Sequence, residues 1–338
     1  MTWFERLTGF VERDFSETKR RLNVIDGRLV SDATPNSYGV GRFELVNLFE
    51  LRRRCRAENA PAGRLSVRNI SGDARTIHQI DGFKNALIQV ASQFNMLEMV
   101  SPTVSPEDGV SIYEFDATQG PACAIAAGAA TIYRNYFVRV GDQIGQSAQL
   151  QLDGLAAVGD HLTEELGVAH GDLWRMQNGY ALCEATGLQK IADALASSPH
   201  LADGIRGRLS IGLHWDVEVT DMARPQYVSQ AFCSALPVAY SRIAPSVWAP
   251  FAATVLEAAY EATLCAAKLN AARGRSNKVL LTRLGGGAFG NRAEWIDAAM
   301  TRALEMARGY DLDVFIVSFD APPPSMVTLA SAFNERVG

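Results

Sequence analysis

The chain has 338 residues, of which 48% are hydrophobic and 20% charged, which suits a protein with a substantial buried core and excludes a disordered chain. Its formal net charge of −5 is the wrong sign for general electrostatic binding of nucleic acid. No apolar run approaches the ~18 residues that a membrane helix needs, so no membrane partner is expected.

Residues 1–60 read as an N-terminal helical extension on a main α/β domain over 61–338. Phe4, Leu7, Phe10 and Val11 make one apolar stripe at helical spacing, and Phe43, Leu45, Val46, Leu48, Phe49 and Leu51 make a second. The turn pairs Asp26-Gly27 and Pro35-Asn36 lie between them. The first residues, Met1-Thr2-Trp3-Phe4-Glu5-Arg6, lack the apolar run of a signal peptide. Cys55, Cys123, Cys183, Cys233 and Cys265 are scattered and odd in number, a usage expected of a reducing cytoplasm. The basic cluster Arg52, Arg53, Arg54 and Arg56 reads as a solvated helix end.

Residues 65–70 alternate like a strand that ends at Gly72-Asp73. Residues 86–91 form a continuous apolar run, the length of a buried strand, which breaks between Ser92 and Glu98. A polar loop over 101–118 follows, with two prolines and four acids. Loops of that length in compact domains are usually functional or disordered. Thr118 stands as an N-cap and Pro121 in the first turn of a helix made of small residues, whose N-terminus can hold an anion. A capped core helix is the plain alternative.

Residues 143–200 are expected to be an amphipathic helical insert. Strands follow at 209–219 and 227–233, then a helix at 251–268. Residues 279–284 read as a buried strand, 293–308 as a helix, and 314–319 as the closing strand. Between them lies Gly285-Gly286-Gly287-Ala288-Phe289-Gly290-Asn291. A strand, a glycine loop and a helix bring successive backbone N–H groups close to a phosphate. Tight turning alone would also explain the glycines. Strands alternating with helices predict a three-layer α/β/α fold around a mixed sheet.

Taken together, these pieces resemble a macrodomain, the α/β/α module that binds ADP-ribose. Gly72-Asp73 resembles that family's Gly-Asp-Ile-Thr element and Ser92 to Asn95 its Asn-Ala-Ala-Asn element. The turn at Gln119-Gly120 stands where the first phosphate loop belongs, and 285–291 where the second does. The resemblance covers about 60–135 and 205–320. It implies that Asp73 accepts from the adenine amino group and that Phe319 stacks on the ring. It further implies that Asn95 touches the distal ribose and Phe289 flanks it. Thr118, Gln119, Gly120 and the loop Gly285, Gly286, Gly287, Ala288, Gly290 and Asn291 would then hold the pyrophosphate.

One departure concerns chemistry, because the helix after Gly120 carries no acid where hydrolytic members often have one. A general acid or base would have to be Glu98, Glu114 or Asp116. Glu98 comes first, since its apolar neighbours Met96, Leu97 and Met99 would raise its pKa by burial. Cys123 reads as a small core residue rather than a nucleophile, and no His or Cys pair has metal-ligand spacing. Neither cofactor nor metal is expected. The function implied is binding of ADP-ribose or a related NAD-derived nucleotide with hydrolysis of an ADP-ribosyl linkage. The alternative is a non-catalytic ADP-ribose reader, and a third reading is an unrelated phosphate-binding α/β enzyme.

Overall fold

The computed structural model describes residues 1–58 and 63–335. It begins with α1 (Trp3–Thr8), α2 (Phe15–Arg21) and a three-stranded antiparallel sheet of β1 (Leu22–Ile25), β2 (Arg28–Ser31) and β3 (Thr34–Gly39). Next come β4 (Arg42–Asn47), α3 (Leu48–Ala57), β5 (Ser66–Ser71), α4 (Ala74–Ile77) and β6 (Leu87–Ala91). The loop after β6 holds short 3-10 turns at Pro106–Asp108 and Ser111–Phe115, and leads into α5 (Gln119–Ala126) and α6 (Gly128–Tyr136). Two hairpins, β7 (Arg139–Val140) with β8 (Gln143–Ile144) and β9 (Trp174–Gln177) with β10 (Tyr180–Cys183), flank α7 (Ala156–Leu166). The rest is α8 (Ala185–Ser197), α9 (Pro199–Arg208), β11 (Ser210–Glu218), β12 (Tyr227–Cys233), α10 (Pro245–Ala272), β13 (Lys278–Leu281), α11 (Ala293–Met306), β14 (Asp313–Ser318) and α12 (Pro324–Glu335).

The main sheet has seven strands in the order β4-β11-β12-β6-β13-β14-β5. Pairing is parallel from β12 to β5, and β11 runs antiparallel to both of its neighbours. The inner strands are apolar on both faces, as a parallel sheet covered on both sides requires. Leu87, Val279, Leu281, Val314 and Ile316 face a core shared with α10 and α11. Ile88, Val90, Leu280 and Phe315 face the other way, toward Cys123 of α5, Ala130 of α6 and Ala127 between them. The result is the expected three-layer α/β/α arrangement with a mixed sheet. Among the described residues, no helix is long and apolar enough to cross a membrane.

The N-terminal region departs from a helical extension. Residues 42–47, expected as part of a helical stripe, form the edge strand β4, paired with β11. Asn47 divides the apolar run, because its side chain accepts from the Glu50 N–H at 2.9 Å and starts α3 there. The sheet therefore reaches across the division expected at residue 60. Residues 143–200 contain helices, but also the hairpin β9–β10, and Leu155, Val158, Leu188 and Ile191 belong to the main core. Beyond the closing strand the chain adds a last helix, α12, which buries Met326, Ala330 and Phe333.

The N-terminal segment also braces the loop that follows β6. Trp3, Phe4, Leu7 and Phe10 pack with Leu97, Met99, Val110 and Tyr113. The Glu12 carboxylate accepts from the N–H groups of Val110 (2.9 Å) and Ser111 (2.5 Å) and from the Tyr136 hydroxyl (2.7 Å). Glu12→Ala should cost about 2 kcal/mol in urea denaturation, the scale for losing hydrogen bonds to a charged acceptor. Faster amide exchange over residues 106–116 should accompany it. Unchanged exchange there would mean that the brace does not hold the loop.

Candidate functional site

A cleft of about 740 Å³ opens beyond the carboxyl ends of β6 and β13, where ligands bind in open α/β sheets. Its walls come from the turn after β6, the end of the long loop with the start of α5, and the glycine loop after β13. Tyr180 and Tyr240 complete it.

Glu98 is the chemically distinctive group. It lines the cleft although it is buried, and neither carboxylate oxygen has a hydrogen-bond partner among the described residues. The Arg134 guanidinium lies 3.5 Å away, itself wholly buried. Burial pushes the Glu98 carboxyl up to about 7, and the charge of Arg134 only partly opposes it. A carboxyl that is half protonated near neutral pH and unsatisfied can give or take a proton at a ligand.

The glycine loop brings unbonded backbone donors to the wall of the same cleft. In the glycine loop the N–H of Gly286 donates to Arg283, that of Gly290 to Gly287 and that of Asn291 to Gly285, at 3.1, 3.0 and 2.9 Å. These bonds curl the loop. The N–H groups of Gly287, Ala288 and Phe289 have no acceptor among the described residues, and all three residues line the cleft. Gly285 has φ +73°, and a Cβ there would lie 2.5 Å from the Ala235 Cβ, so the turn needs glycine twice over. Across the cleft, a Cβ at Gly120 would lie 2.2 Å from the Ala91 carbonyl oxygen. That close approach sets the first turn of α5 against the end of β6 and beside Glu98. Successive free N–H groups in a curled loop form an anion-binding concavity.

Arg283 adds a cation at the cleft wall, with one guanidinium nitrogen on Asp297 at 2.7 Å. Phe289, Tyr180 and Tyr240 pack as an aromatic wall, with ring centroids 5.1 to 5.7 Å apart.

The expected residues divide into three groups. Glu98, Asp116, Thr118, Gln119, Gly120, Gly285, Gly287, Ala288 and Phe289 line the cleft. Within it, the Asp116 carboxylate accepts from the Thr118 N–H, and the Gln119 side chain is occupied at both ends by the β6 backbone. Gly286, Gly290 and Asn291 are not in the cleft lining; their N–H groups bond within the loop, and Asn291 donates to the Leu236 carbonyl.

The third group lies elsewhere. Asn95 is not at the cleft, because its buried side chain donates to Gln151 and accepts from the Leu97 N–H. Asp73 caps α4 from an exposed position. Phe319 is 71% exposed just beyond β14. Glu114 turns away and accepts from the Trp3 N–H. Cys123 is wholly buried in the core, and burial pushes its thiol up. His78 and His214 are buried and held neutral, His78 down to about 4, and neither reaches the cleft. Among the described residues, no group of His, Cys, Asp and Glu could hold a metal ion.

Sequence reading missed Arg134, Arg283, Tyr180 and Tyr240. Only Arg283 carried a local signal, a cation immediately before a glycine loop.

No family model matches the chain, and no curated protein sequence matches it significantly. Among solved structures, it is distantly similar to poly(ADP-ribose) glycohydrolase from Deinococcus radiodurans in complex with ADP-ribose. That likeness has 11% identity and a TM-score of 0.43, over 87% of this chain and 94% of that one. The Thermomonospora curvata glycohydrolase gives 13% identity and a TM-score of 0.43, over 95% and 96% of the two chains. Similarity this slight carries no argument about what the chain does.

The raised carboxyl makes a pH prediction. Folded protein holds the Glu98 proton more tightly than unfolded protein, so that stabilisation is complete below the ordinary glutamate value and lost as pH rises through about 7. Glu98→Gln has no proton to lose. Relative to wild type, it should gain up to about 3 kcal/mol in urea denaturation as pH rises from about 4 to about 8. A pH-independent difference would show that Glu98 titrates normally.

Proposed function

We propose that this chain is a macrodomain-like module that binds ADP-ribose or a related NAD-derived nucleotide and hydrolyses an ADP-ribosyl linkage. The observation carrying this reading is the sharing of one cleft by an unsatisfied buried carboxyl and a loop of free N–H groups. Pyrophosphate sits against Gly287, Ala288 and Phe289 and the start of α5, which makes 285–291 a phosphate-binding loop. Glu98 then acts as general acid to the group leaving the ribosyl carbon, or as general base to the water that attacks it.

The adenosine end extends toward Asp73 and Phe319. Those residues lie at the ends of neighbouring strands, where the Gly72 N–H donates to the Ser318 carbonyl at 2.9 Å. From β5 to β6 is three strand intervals, about 14 Å at the usual spacing, on the scale of an extended nucleoside-diphosphate sugar. An exposed aromatic at that end suits stacking on a base. Asn95 has no place in this arrangement. The scattered cysteines fit a cytoplasmic protein.

The reader alternative has one specific observation in its favour. Asp116, the other carboxylate lining the cleft among the described residues, is tied to the Thr118 N–H, so no second free acid stands beside Glu98.

ADP-ribose at a hundredfold excess over Kd should add roughly 2.7 kcal/mol of stability, seen as a raised Tm, with adenine alone giving less. Gly287→Glu should abolish that shift, since a Cβ there enters open space and the carboxylate would lie at the phosphate site. Glu98→Gln should bind while turnover of an ADP-ribosyl linkage falls ~10²-fold or more. Binding without turnover by wild type would make the protein a reader. No shift with any adenine nucleotide would overturn the assignment.

A further inference from the structure

A second cavity, of about 1080 Å³, opens between α3, α10 and α11, with Cys55, Cys265, Lys268 and Tyr310 in its wall. Cys55 on α3 and Cys265 on α10 are on packed helices, 210 residues apart in sequence, and the Cys55 sulfur reaches the backbone of Cys265. When neutral, the Cys55 thiol donates to the Cys265 carbonyl at 3.2 Å. The Lys268 ammonium donates to the Cys55 carbonyl at 2.8 Å and sits 4.9 Å from the centre of the Tyr310 ring. Nothing in the proposed hydrolysis uses this cluster.

We propose that Cys55 and Cys265 are a redox pair, closing to a disulfide that ties α3 to α10 when a peroxide enters this cavity. The Cys55 thiolate attacks one peroxide oxygen, so an S–O bond forms and the O–O bond breaks. The departing hydroxide takes a proton and leaves as water. The Cys265 sulfur then attacks the Cys55 sulfenic sulfur, an S–S bond forms, and a second water leaves. Two thiols are oxidised by two electrons, and the peroxide is reduced to two waters.

Local chemistry singles out Cys55 among the five cysteines, with Cys265 beside it as partner, its own thiol pushed up by Cys55 and by burial. The hydrogen bond from Cys265 and the charge of Lys268 hold Cys55 below the usual thiol range, against the effect of its burial. The remaining three sit apart in the core. Burial pushes Cys233 up to about 11 and Cys123 and Cys183 up as well. A thiol of low pKa beside a second thiol, at the wall of an open cavity, is the arrangement of an oxidisable pair.

Native protein treated with a small excess of hydrogen peroxide, alkylated and mapped without reduction should yield one cross-linked peptide pair, joining Cys55 to Cys265. Two alkylatable thiols should be lost and both regained with dithiothreitol. In Cys265→Ser, dimedone should label Cys55, and Cys55→Ser should abolish that labelling. Wild-type protein that keeps both thiols free, or accumulates Cys55 sulfenic acid without the cross-link, would overturn the proposal. The wild-type map decides the matter even if a variant does not fold.

Discussion

A guanidinium with no access to water must be solvated by the protein, and much of this molecule meets at the one that is. Arg134 on α6 donates through Nε to the Met96 carbonyl at 3.0 Å and through Nη2 to Thr131 at 3.1 Å. Its Nη1 lies 3.4 Å from His214 Nδ1, which must accept, so the proton of that ring sits on Nε2. Its face rests 3.7 Å from the centre of the Phe232 ring. A single side chain thus joins the helical layer, the turn after β6 and strands β11 and β12. What it leaves unfinished is its ion pair. Glu98, 3.5 Å away, gains charge compensation but no close hydrogen bond, so burial still governs its proton. Removing Arg134 would leave an acid buried alone, and removing Glu98 would leave the cation short of compensation.

The cleft around Glu98 is built mostly of backbone, and the glycines serve that end. Gly285 allows a turn that a side chain would both strain and block. Gly120 lets α5 start directly on the last carbonyl of β6. Tyr260 of α10 supports the glycine loop from beneath, donating to the Thr282 carbonyl at 2.7 Å and accepting from the Leu284 N–H at 2.9 Å. The free N–H groups of Gly287, Ala288 and Phe289 are therefore held on a braced loop, which lowers the cost of arranging donors around an anion.

The inner strands were legible because both of their faces are buried, which writes them as unbroken apolar runs. β4 was misread for the opposite reason. It is an edge strand with Phe43 half-buried and Leu45 exposed, and its alternation runs directly into the helical stripe of α3. Glu98 was legible from its apolar neighbours alone. Arg134 was not, since its burial depends on partners 38 and 80 residues away and a charged residue between two tyrosines gives no period. The ribose contact expected of Asn95 rests on the resemblance of Ser92 to Asn95 to the Asn-Ala-Ala-Asn element, which does not show what covers the side chain. In the fold, residues 146–151 lie over it, and Gln146 and Gln151 occupy its polar atoms.

The central claim is that the free N–H groups of the glycine loop receive an anionic nucleotide beside Glu98. Backbone ¹⁵N–¹H chemical shifts recorded during titration with ADP-ribose test it most directly. The amides of Gly287, Ala288 and Phe289 should move downfield together as they gain an acceptor. Those of Gly286, Gly290 and Asn291, already bonded within the loop, should move much less. Saturable binding that leaves the first three amides unmoved would place the ligand elsewhere and contradict the account.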